Sequence, residues 1–236
     1  MKALILASGI AKRLRPLTNH MPKCLVKVND KSILDIQLIE FCRAGIKNVV
    51  ITTGPFEDKV IQSIEPHLKN LDISLVKNDL YDKTNYIYSI YKARHKLDDD
   101  IVLIHGDLVF SHEVLPRLLN SKQRNSAIVA ENHRPPKDFK ALIKNNRIMH
   151  ISTALMTEES HFLAPLYSFS KGDFKLWLKK IETYIHQKKV QCYAEDALNE
   201  LLIDEIELKP VYIGKETCME IDEWEDLETA KKIFGN

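Results

Sequence analysis

Residues 2–23 of the chain read KALILASGIAKRLRPLTNHMPK, a strand pattern followed by a basic loop. The apolar run over residues 2–7 ends in a serine and Gly9, which predicts a buried parallel strand and then a turn. A glycine lets the backbone approach a ligand closely, and neighbouring amides can form an anion-binding concavity. The side chains of Lys12, Arg13 and Lys23 can neutralise a polyphosphate. The stretch therefore predicts a loop that captures an anion at the end of a strand.

Beyond this loop, helix and strand patterns alternate along the first half of the chain. Ser32 and Asp35 form a capping-box pattern for a helix that ends near Gly45. Further strands are predicted at 49–52, 73–76 and 101–104, and further helices at 56–65 and 85–97. This order predicts a three-layer α/β/α fold, Rossmann-like, with a mixed and mostly parallel sheet. Ligands bind beyond the carboxyl ends of strands in such sheets, where the basic loop lies.

The second half of the chain has a different pattern. Short strands are predicted at 127–130, 141–143, 147–151 and 165–169, interrupted by Pro135-Pro136, which suggests an antiparallel insertion or edge over 126–170. Helices at 173–186 and 195–203, strands at 211–213 and 220–222, and a closing helix at 224–234 follow. We expect a single domain over 1–236.

Composition narrows the class of protein. The net charge of +1 gives no global basic field, so nucleic acid is not expected as a partner. No apolar run reaches the 18 residues of a membrane helix, so no membrane association is expected. The four cysteines lie far apart without a metal-binding spacing. We therefore expect reduced thiols and a cytoplasmic location.

The basic loop carries a recognisable motif. Leu6-Ala7-Ser8-Gly9, then Arg13-Leu14, then Pro22-Lys23 resembles the nucleotidyltransferase superfamily that makes nucleotide sugars and CDP-alcohols. The chain departs from the usual motif at Ser8 and at Ala11, where the superfamily has a second glycine. A P-loop and a dinucleotide fingerprint are both excluded, because each needs glycines that this turn lacks. A solvated basic turn is the structural alternative.

The resemblance implies the fold of the nucleotide-diphospho-sugar transferases and a set of site residues. Lys23 and Arg13 are implied as the catalytic cations. The implied nucleotide-binding residues are Leu6, Ala7, Ser8, Gly9, Lys12, Arg13, Lys23, Asn78, Thr84, Asn85 and Gly106.

A narrower resemblance concerns the donor nucleotide. Asn78-Asp79-Leu80-Tyr81, Thr84-Asn85 and Tyr88-Ser89 look like the corresponding stretch of the CTP:phosphocholine cytidylyltransferase group, which implies CTP as the donor. Short polar side chains of this kind can bond a base or a ribose. They are also the usual residues of turns and helix starts, which is the alternative interpretation.

Two aspartates correspond to the magnesium ligands of the superfamily. Asp107 follows the strand at 101–104, and Asp222 lies near the end of the chain. Mg²⁺ prefers a few carboxylates together with phosphate oxygens, so this pair suits a metal-bound triphosphate. Either residue could instead cap a helix. The resemblance implies Mg²⁺ as the cofactor.

The candidates for the acceptor pocket come from the second half of the chain. Superfamily position suggests Tyr167, Tyr193, Glu195 and Asp196, together with Phe169. Aromatic and acidic side chains would suit a cationic ammonium head. The aromatic residues could equally be core, and acidic residues are common at helix starts. Lys140 and Lys144 are the candidates for the second lysine of sugar-phosphate relatives, although surface positions are expected for both.

The resemblance, carried by these residues, implies a Mg²⁺-dependent cytidylyltransferase, with a nucleotide-binding half at 1–125 and an acceptor-binding and metal-completing half at 126–236. It would transfer CMP from CTP to a small phosphorylated acceptor such as phosphocholine, phosphoethanolamine or an aminoalkylphosphonate, with release of pyrophosphate. One alternative is a sugar-1-phosphate nucleotidyltransferase that uses another nucleoside triphosphate. The other is a non-catalytic nucleotide-binding regulatory protein, an idea motivated by Ala11 in the loop.

Overall fold

The computed structural model describes residues 1–130, 135–214 and 218–234. Its strands are β1 (Lys2–Ala7), β2 (Lys27–Val28), β3 (Lys31–Ser32), β4 (Asn48–Thr53), β5 (Asp72–Lys77), β6 (Ile101–His105), β7 (Leu108–Phe110), β8 (Ser126–Ala130), β9 (Lys140–Lys144), β10 (Arg147–Ser152), β11 (Ser160–Phe169), β12 (Lys209–Ile213) and β13 (Cys218–Glu220). Its helices are α1 (Ile33–Arg43), α2 (Glu57–Ile64), α3 (Tyr86–Ala93), α4 (Val114–Leu119), α5 (Lys171–His186), α6 (Ala194–Leu202) and α7 (Trp224–Ile233).

One large mixed sheet organises these elements. Its strand order is β10-β9-β11-β6-β1-β4-β5, with β8 paired to both β11 and β12. β1 runs parallel to β4 and β6, and β4 runs parallel to β5, whereas β11 runs antiparallel to β6. The predicted Rossmann-like mixed sheet is confirmed. β1 lies in the middle of the sheet, so its carboxyl end opens at the centre of the molecule.

The two faces of the sheet are covered by different helices because strand side chains alternate. In β1, Leu4 and Leu6 pack on one face, and Ala3 and Ile5 on the other. The first face is covered by α3, α5 and α6, and the second by α1, α2 and α4. Both cores contain residues from before and after position 125. The three-layer arrangement follows from this two-sided burial.

Local signals account for several helix boundaries. The Ser32 hydroxyl accepts a hydrogen bond from the Asp35 backbone at 3.0 Å, and the Asp35 carboxylate accepts one from the Ser32 backbone, so the predicted capping box is present. α5 begins at Lys171, two residues before the predicted start, because Ser170 caps it. α3 is shorter than the predicted 85–97 because it gives way to a 3₁₀ turn over residues 94–96.

Some expectations about the second half are wrong in detail. Residues 126–169 form the expected antiparallel pairs and β10 lies at the edge of the sheet, but β11 is an interior strand, since it pairs with the central strand β6. The strand predicted at 220–222 is Cys218–Glu220, so Asp222 lies two residues beyond the strand. In the first half, the elements that the sequence pattern does not predict are β2, β3, β7 and α4. Within the residues that the structure describes, no helix is long and apolar enough to cross a membrane.

Candidate active site at the ends of the central strands

A cavity of about 420 Å³ opens where β1 and β6 end. The first half of the chain contributes its floor and one wall, and the segment after Pro136 and the start of α6 contribute the other wall. The lining residues are Leu6, Ser8, Gly9, Arg13, Tyr81, Asp82, Lys83, Thr84, Asn85, Tyr86, His105, Asp107, Lys137, Asp138, Phe139, Thr153, Gln191, Tyr193, Glu220 and Asp222. The cavity thus lies at the predicted ligand-binding edge.

The loop after β1 is held in a defined shape. Ala11 adopts a left-handed conformation with φ 50° and ψ 60°, which explains why a glycine is usual at this position. The Thr18 hydroxyl donates a hydrogen bond to the Ala11 carbonyl at 2.7 Å, and the fully buried Leu14 anchors the loop in the core. The chain therefore keeps the conformation that glycine favours and bears a cost of roughly 1–2 kcal/mol for the alanine.

Two glycines bring neighbouring segments against this loop. A Cβ on Gly54, which follows β4, would lie 2.4 Å from the Ser8 carbonyl oxygen. A Cβ on Gly106 would lie 2.9 Å from the Leu6 carbonyl oxygen, which also accepts the Gly106 N–H at 2.9 Å. By contrast, apart from Gly9 and its two chain neighbours, no described residue has an atom within 4 Å of the Cβ position of Gly9, which lines the cavity. Close packing behind the loop leaves its front face open.

Four charged side chains form a compact group at one end of the cavity, which we name the charged cluster: Arg13, Lys23, Asp107 and Asp222. The Lys23 ammonium lies 2.5 Å from Asp107 Oδ2 and 2.5 Å from Asp222 Oδ1. The Arg13 guanidinium lies 2.6 Å from Asp222 Oδ2. The structure thus brings together the predicted catalytic cations and the predicted metal ligands, although 199 residues separate Lys23 from Asp222.

Burial and charge act against each other in this cluster. Burial alone would lower the pKa of Lys23, but the carboxylates of Asp107 and Asp222 raise it well above its ordinary value. Burial likewise acts to raise the pKa of Asp222, but the charges of Lys23 and Arg13 lower it overall. Lys23 and Asp222 are therefore both charged near neutral pH. An incoming anion can therefore bind Lys23 or Arg13 only by displacing the carboxylates that now pair with them.

His105 and Glu220 extend the charged cluster inward. His105 Nδ1 lies 3.8 Å from Glu220 Oε1, and one ligand atom from each of His105, Asp107 and Glu220 lies within 4.8 Å of the others. Burial raises the pKa of Glu220, whereas the neighbouring carboxylates raise that of His105 against the effect of its own burial. Asp107 Oδ1 and His105 Nε2 are buried without a hydrogen-bond partner among the described residues. Carboxylate oxygens of this kind suit a hard divalent cation.

At the opposite end of the cavity, three rings form what we name the aromatic subsite: Tyr86, Phe139 and Tyr193. The ring centroids of Phe139 and Tyr193 are 5.0 Å apart at an interplanar angle of 77°, and those of Tyr86 and Tyr193 are 6.0 Å apart. The imidazole of His105 packs edge-on against Tyr86 at 4.6 Å. Each ring comes from a different element, namely α3, the segment before β9 and the residue before α6.

The acceptor residues predicted from the second half separate into two groups. Tyr193 lines the cavity, but Tyr167 and Glu195 lie beneath it and are almost fully buried. The Tyr167 hydroxyl donates to Glu195 Oε1 at 2.9 Å, and the Tyr86 hydroxyl donates to Glu195 Oε2. The Asp196 carboxylate accepts the Tyr193 backbone N–H at 2.9 Å, as a helix cap. The structure therefore does not support direct contact between a ligand in the cavity and Tyr167, Glu195 or Asp196.

The wall formed by residues 137–140 was not anticipated. Burial, with the charges of Asp222 and Asp226, raises the pKa of Asp138 to about 6. Lys140 is fully buried rather than at the surface, because its ammonium donates to the carbonyls of Pro135 at 3.0 Å, Pro136 at 3.2 Å and Thr153 at 2.5 Å. Lys144 is exposed as expected. Lys140 therefore fixes the wall and does not point into the cavity. Phe169 belongs to the core of the sheet and does not line the cavity either.

The predicted nucleotide-binding residues also fall into two groups, those that line the cavity and those that do not. Leu6, Ser8, Gly9, Arg13, Thr84 and Asn85 line the cavity. Ala7 and Gly106 are buried behind the loop, and Lys12 is exposed outside the cavity lining. Asn78 is 1% exposed, and its amide donates to Thr84 at 3.1 Å and to Ser89 at 3.0 Å. Asn78 therefore supports the segment around Thr84 instead of facing the cavity.

Several lining residues had no assigned role in the sequence analysis. The sequence pattern could have identified Glu220 as a site residue. In an extended chain it lies on the same side as Asp222, with the buried Ile221 between them. His105 also lines the cavity. Phe139 and Lys137 follow two prolines and precede a strand, so no periodicity marks them. Their positions depend on how the wall folds against α6.

Comparison with known proteins adds a family match. A model of the family described as nucleotidyl transferase matches residues 2–159 of the chain. A CTP:phosphoglutamine cytidylyltransferase of Campylobacter jejuni is 29% identical over 136 residues, which cover 55% of this chain and 52% of that protein. A choline-phosphate cytidylyltransferase of Streptococcus pneumoniae is 33% identical over 112 residues, covering 48% and 47% of the two chains. The chain thus aligns with about half the length of these curated relatives.

A solved structure extends the likeness of fold over the whole chain. The CTP:phosphocholine cytidylyltransferase from Streptococcus pneumoniae superposes with a TM-score of 0.85, covering 99% of this chain and 98% of that one. Its sequence identity is 22%, so the superposition supports the fold alone. The first half, with the loop and Asp107, falls within the family match.

Proposed function

The chain belongs to the nucleotidyl transferase family, and we propose that it transfers CMP from CTP to a small phosphorylated acceptor, with release of pyrophosphate. The charged cluster carries this proposal: two cations and two carboxylates lie together beside an open, glycine-containing loop. Nucleotidyl transfer needs cationic side chains that contact the triphosphate. It also needs carboxylates that bind the metal ion beside that triphosphate. The cluster offers both.

The cations would act on the phosphates of the donor. Lys23 and Arg13 now pair with carboxylates, and a triphosphate entering beside Gly9 would offer them phosphate oxygens as new partners. Positive side chains at this position stabilise the charge that develops as pyrophosphate leaves. Ser8 and Gly9 line the cavity on the same side and would place backbone amides against the triphosphate.

The carboxylates would hold a divalent cation. Asp107 and Asp222 are the proposed ligands, with Glu220 beside them, and the unpartnered Asp107 Oδ1 is consistent with this use. A bound Mg²⁺ would supply charge neutralisation and would orient the triphosphate. Glu220 and His105 would support these ligands from the inner side of the cluster.

The relatives and the aromatic subsite together support the choice of substrates. Both curated relatives are named for cytidylyl transfer to phosphorylated small molecules, which favours CTP as the donor. The aromatic subsite provides π faces in the same cavity as the charged cluster, and such faces suit an ammonium head. Phosphocholine, phosphoethanolamine and aminoalkylphosphonates share this combination of a phosphoryl group and a cationic head.

The proposed reaction is a direct displacement. An oxygen of the acceptor phosphate attacks the α-phosphorus of CTP, a new oxygen–phosphorus bond forms, and the bond to the β-phosphate oxygen breaks as pyrophosphate leaves. A phosphate monoester is largely ionised near neutral pH, so the attacking oxygen needs no general base. The protein contributes positioning and electrostatic stabilisation, without a covalent intermediate.

A pyrophosphate-release screen tests the proposal. Four nucleoside triphosphates are combined with aminoalkyl phosphates, phosphonates and sugar 1-phosphates in the presence of Mg²⁺, with acceptor-free reactions as controls. The expected result is the highest kcat/KM with CTP and an acceptor that has a cationic head. Faster turnover of a sugar 1-phosphate with UTP, dTTP or GTP would contradict the proposal. Stabilisation by CTP without turnover of any acceptor would instead indicate a nucleotide-binding regulatory protein.

A further inference from the structure

The aromatic subsite lies in front of a buried carboxylate. Glu195 is the second residue of α6 and is 1% exposed. Its two oxygens accept hydrogen bonds from different phenols, Tyr167 at 2.9 Å and Tyr86. A carboxylate that accepts on both oxygens and donates on neither has the pattern of the ionised form. A negative charge therefore lies directly behind one ring of the subsite.

Within residues 1–130, 135–214 and 218–234, this charge has no salt-bridge partner. None of the ion pairs there includes Glu195, and its hydrogen-bond partners are neutral hydroxyls. Burial, with the charge of Glu195, raises the pKa of Tyr86 well above its ordinary value, so Tyr86 remains a donor. The start of α6 offers the carboxylate the partial positive charge of a helix N-terminus. A charge buried in this way acts over a longer distance than one in water.

The other ionisable groups around the subsite do not cancel this charge. The His105 imidazole is shared with the charged cluster, since its Nδ1 lies 3.8 Å from Glu220 Oε1. Lys137 pairs with Glu223, at the outer end of the cavity wall. Asp138 adds a further carboxyl group to the lining. The electrostatic balance at the aromatic subsite is therefore negative.

We propose that Glu195 is a specificity-determining residue that makes the aromatic subsite select an acceptor with a positively charged head, and that it acts through the Tyr86 ring. This inference rests on the proposed function. Glu195 does not touch the acceptor. Its carboxylate accepts the Tyr86 hydroxyl proton, which fixes the ring and makes its π face more electron-rich, and its charge attracts the cation through the ring.

The test compares charged and neutral acceptors of the same shape. Phosphocholine is paired with 3,3-dimethylbutyl phosphate, in which carbon replaces the ammonium nitrogen, and phosphoethanolamine is paired with propyl phosphate. Affinity is measured by calorimetric titration, and kcat/KM by pyrophosphate release with CTP. In the wild type we expect at least one charged acceptor to be preferred. In Glu195→Gln that preference should fall about tenfold, with affinity for the neutral partner and KM for CTP within threefold of the wild type.

A second variant and a matched control separate charge from structure. Tyr86→Phe keeps the ring and removes the hydroxyl that joins it to Glu195, so the preference should fall by about threefold. Glu200→Gln is the control, because Glu200 lies on α6 and accepts the Tyr184 hydroxyl at 2.5 Å outside the cavity lining. It should leave the preference unchanged.

Two outcomes would overturn the inference. One is a wild type that binds neither charged acceptor more tightly than its neutral partner. The other is a Glu195→Gln variant that loses charged and neutral acceptors equally, which would indicate a purely structural role. Because binding is measured without turnover, absence of pyrophosphate release with every acceptor would refute the proposed function alone.

Discussion

The charged cluster at one end of the cavity pairs its own cations with its own carboxylates, whereas the aromatic subsite at the other end has a buried carboxylate and no paired cation. At the charged cluster, an incoming ion has to replace an existing partner. At the aromatic subsite, the rings and Glu195 are already held in place by packing and by two phenol hydrogen bonds. The two ends therefore differ in how much they must rearrange, and substitutions should affect them differently.

Removal of divalent metal should affect the charged cluster most. A metal ion supplies several kcal/mol of charge stabilisation in such reactions, so dialysis against a chelator should lower turnover by about 10³-fold or more. Pyrophosphate release is measured before and after adding back Mg²⁺. Affinity for a cationic acceptor should change little, because the aromatic subsite uses no metal. Full activity in chelator would contradict the assignment of Asp107 and Asp222.

The substitution Lys23→Ala should lower turnover by about 10²- to 10³-fold, because it removes a cation that stabilises developing charge. Lys27→Ala is the control, since Lys27 is an exposed lysine on β2 outside the cavity lining. Both variants are compared by kcat at saturating substrate and by Tm. A Lys23→Ala variant that retains at least half of the wild-type turnover would exclude a role in the transition state.

At the aromatic subsite, Tyr193→Ala should raise the acceptor KM about fivefold and leave the KM for CTP unchanged. The reason is loss of one π face, which contributes about 0.5–2 kcal/mol in cation binding. The control is Tyr88→Ala, which removes a ring of α3 that packs on Tyr91 outside the cavity lining. Equal changes in both KM values would mean that the two ends of the cavity are not independent.

The smallest effect is expected in the loop itself. Ala11→Gly should raise the free energy of unfolding by up to about 1 kcal/mol, because glycine adopts φ 50° without the cost that alanine bears. Ala44→Gly, at a position with φ −76°, should instead lower it by about 0.5–1 kcal/mol. Denaturant midpoints measure both. A destabilised Ala11→Gly variant would show that the left-handed conformation is not strained.

The charged cluster and the aromatic subsite also differ in how far they could be predicted from the sequence. The central strands and most helices follow from apolar periodicity, and Lys23 and Asp107 follow from motifs beside those strands. The aromatic subsite could not be predicted, because Phe139 has no periodic neighbour and meets Tyr193 only through the fold of the wall. Lys140 was misjudged for a related reason: the three carbonyls that bind its ammonium come from two separate segments. Tyr167 and Glu195 are predicted as acceptor contacts, but both are buried outside the cavity lining, and this burial depends on how α6 packs.

The separation of Lys23 and Asp222 along the chain has a consequence for synthesis on the ribosome. Domains form from the N-terminus while translation proceeds at about 5–20 residues per second, so the 199 residues that follow Lys23, up to and including Asp222, take roughly 10–40 s to make. In the later part of that time the nascent chain contains the loop and Asp107 but still lacks Asp222, the second carboxylate that completes the cluster. A ribosome that stalls before β13 therefore releases a fragment with the basic loop and without a complete charged cluster.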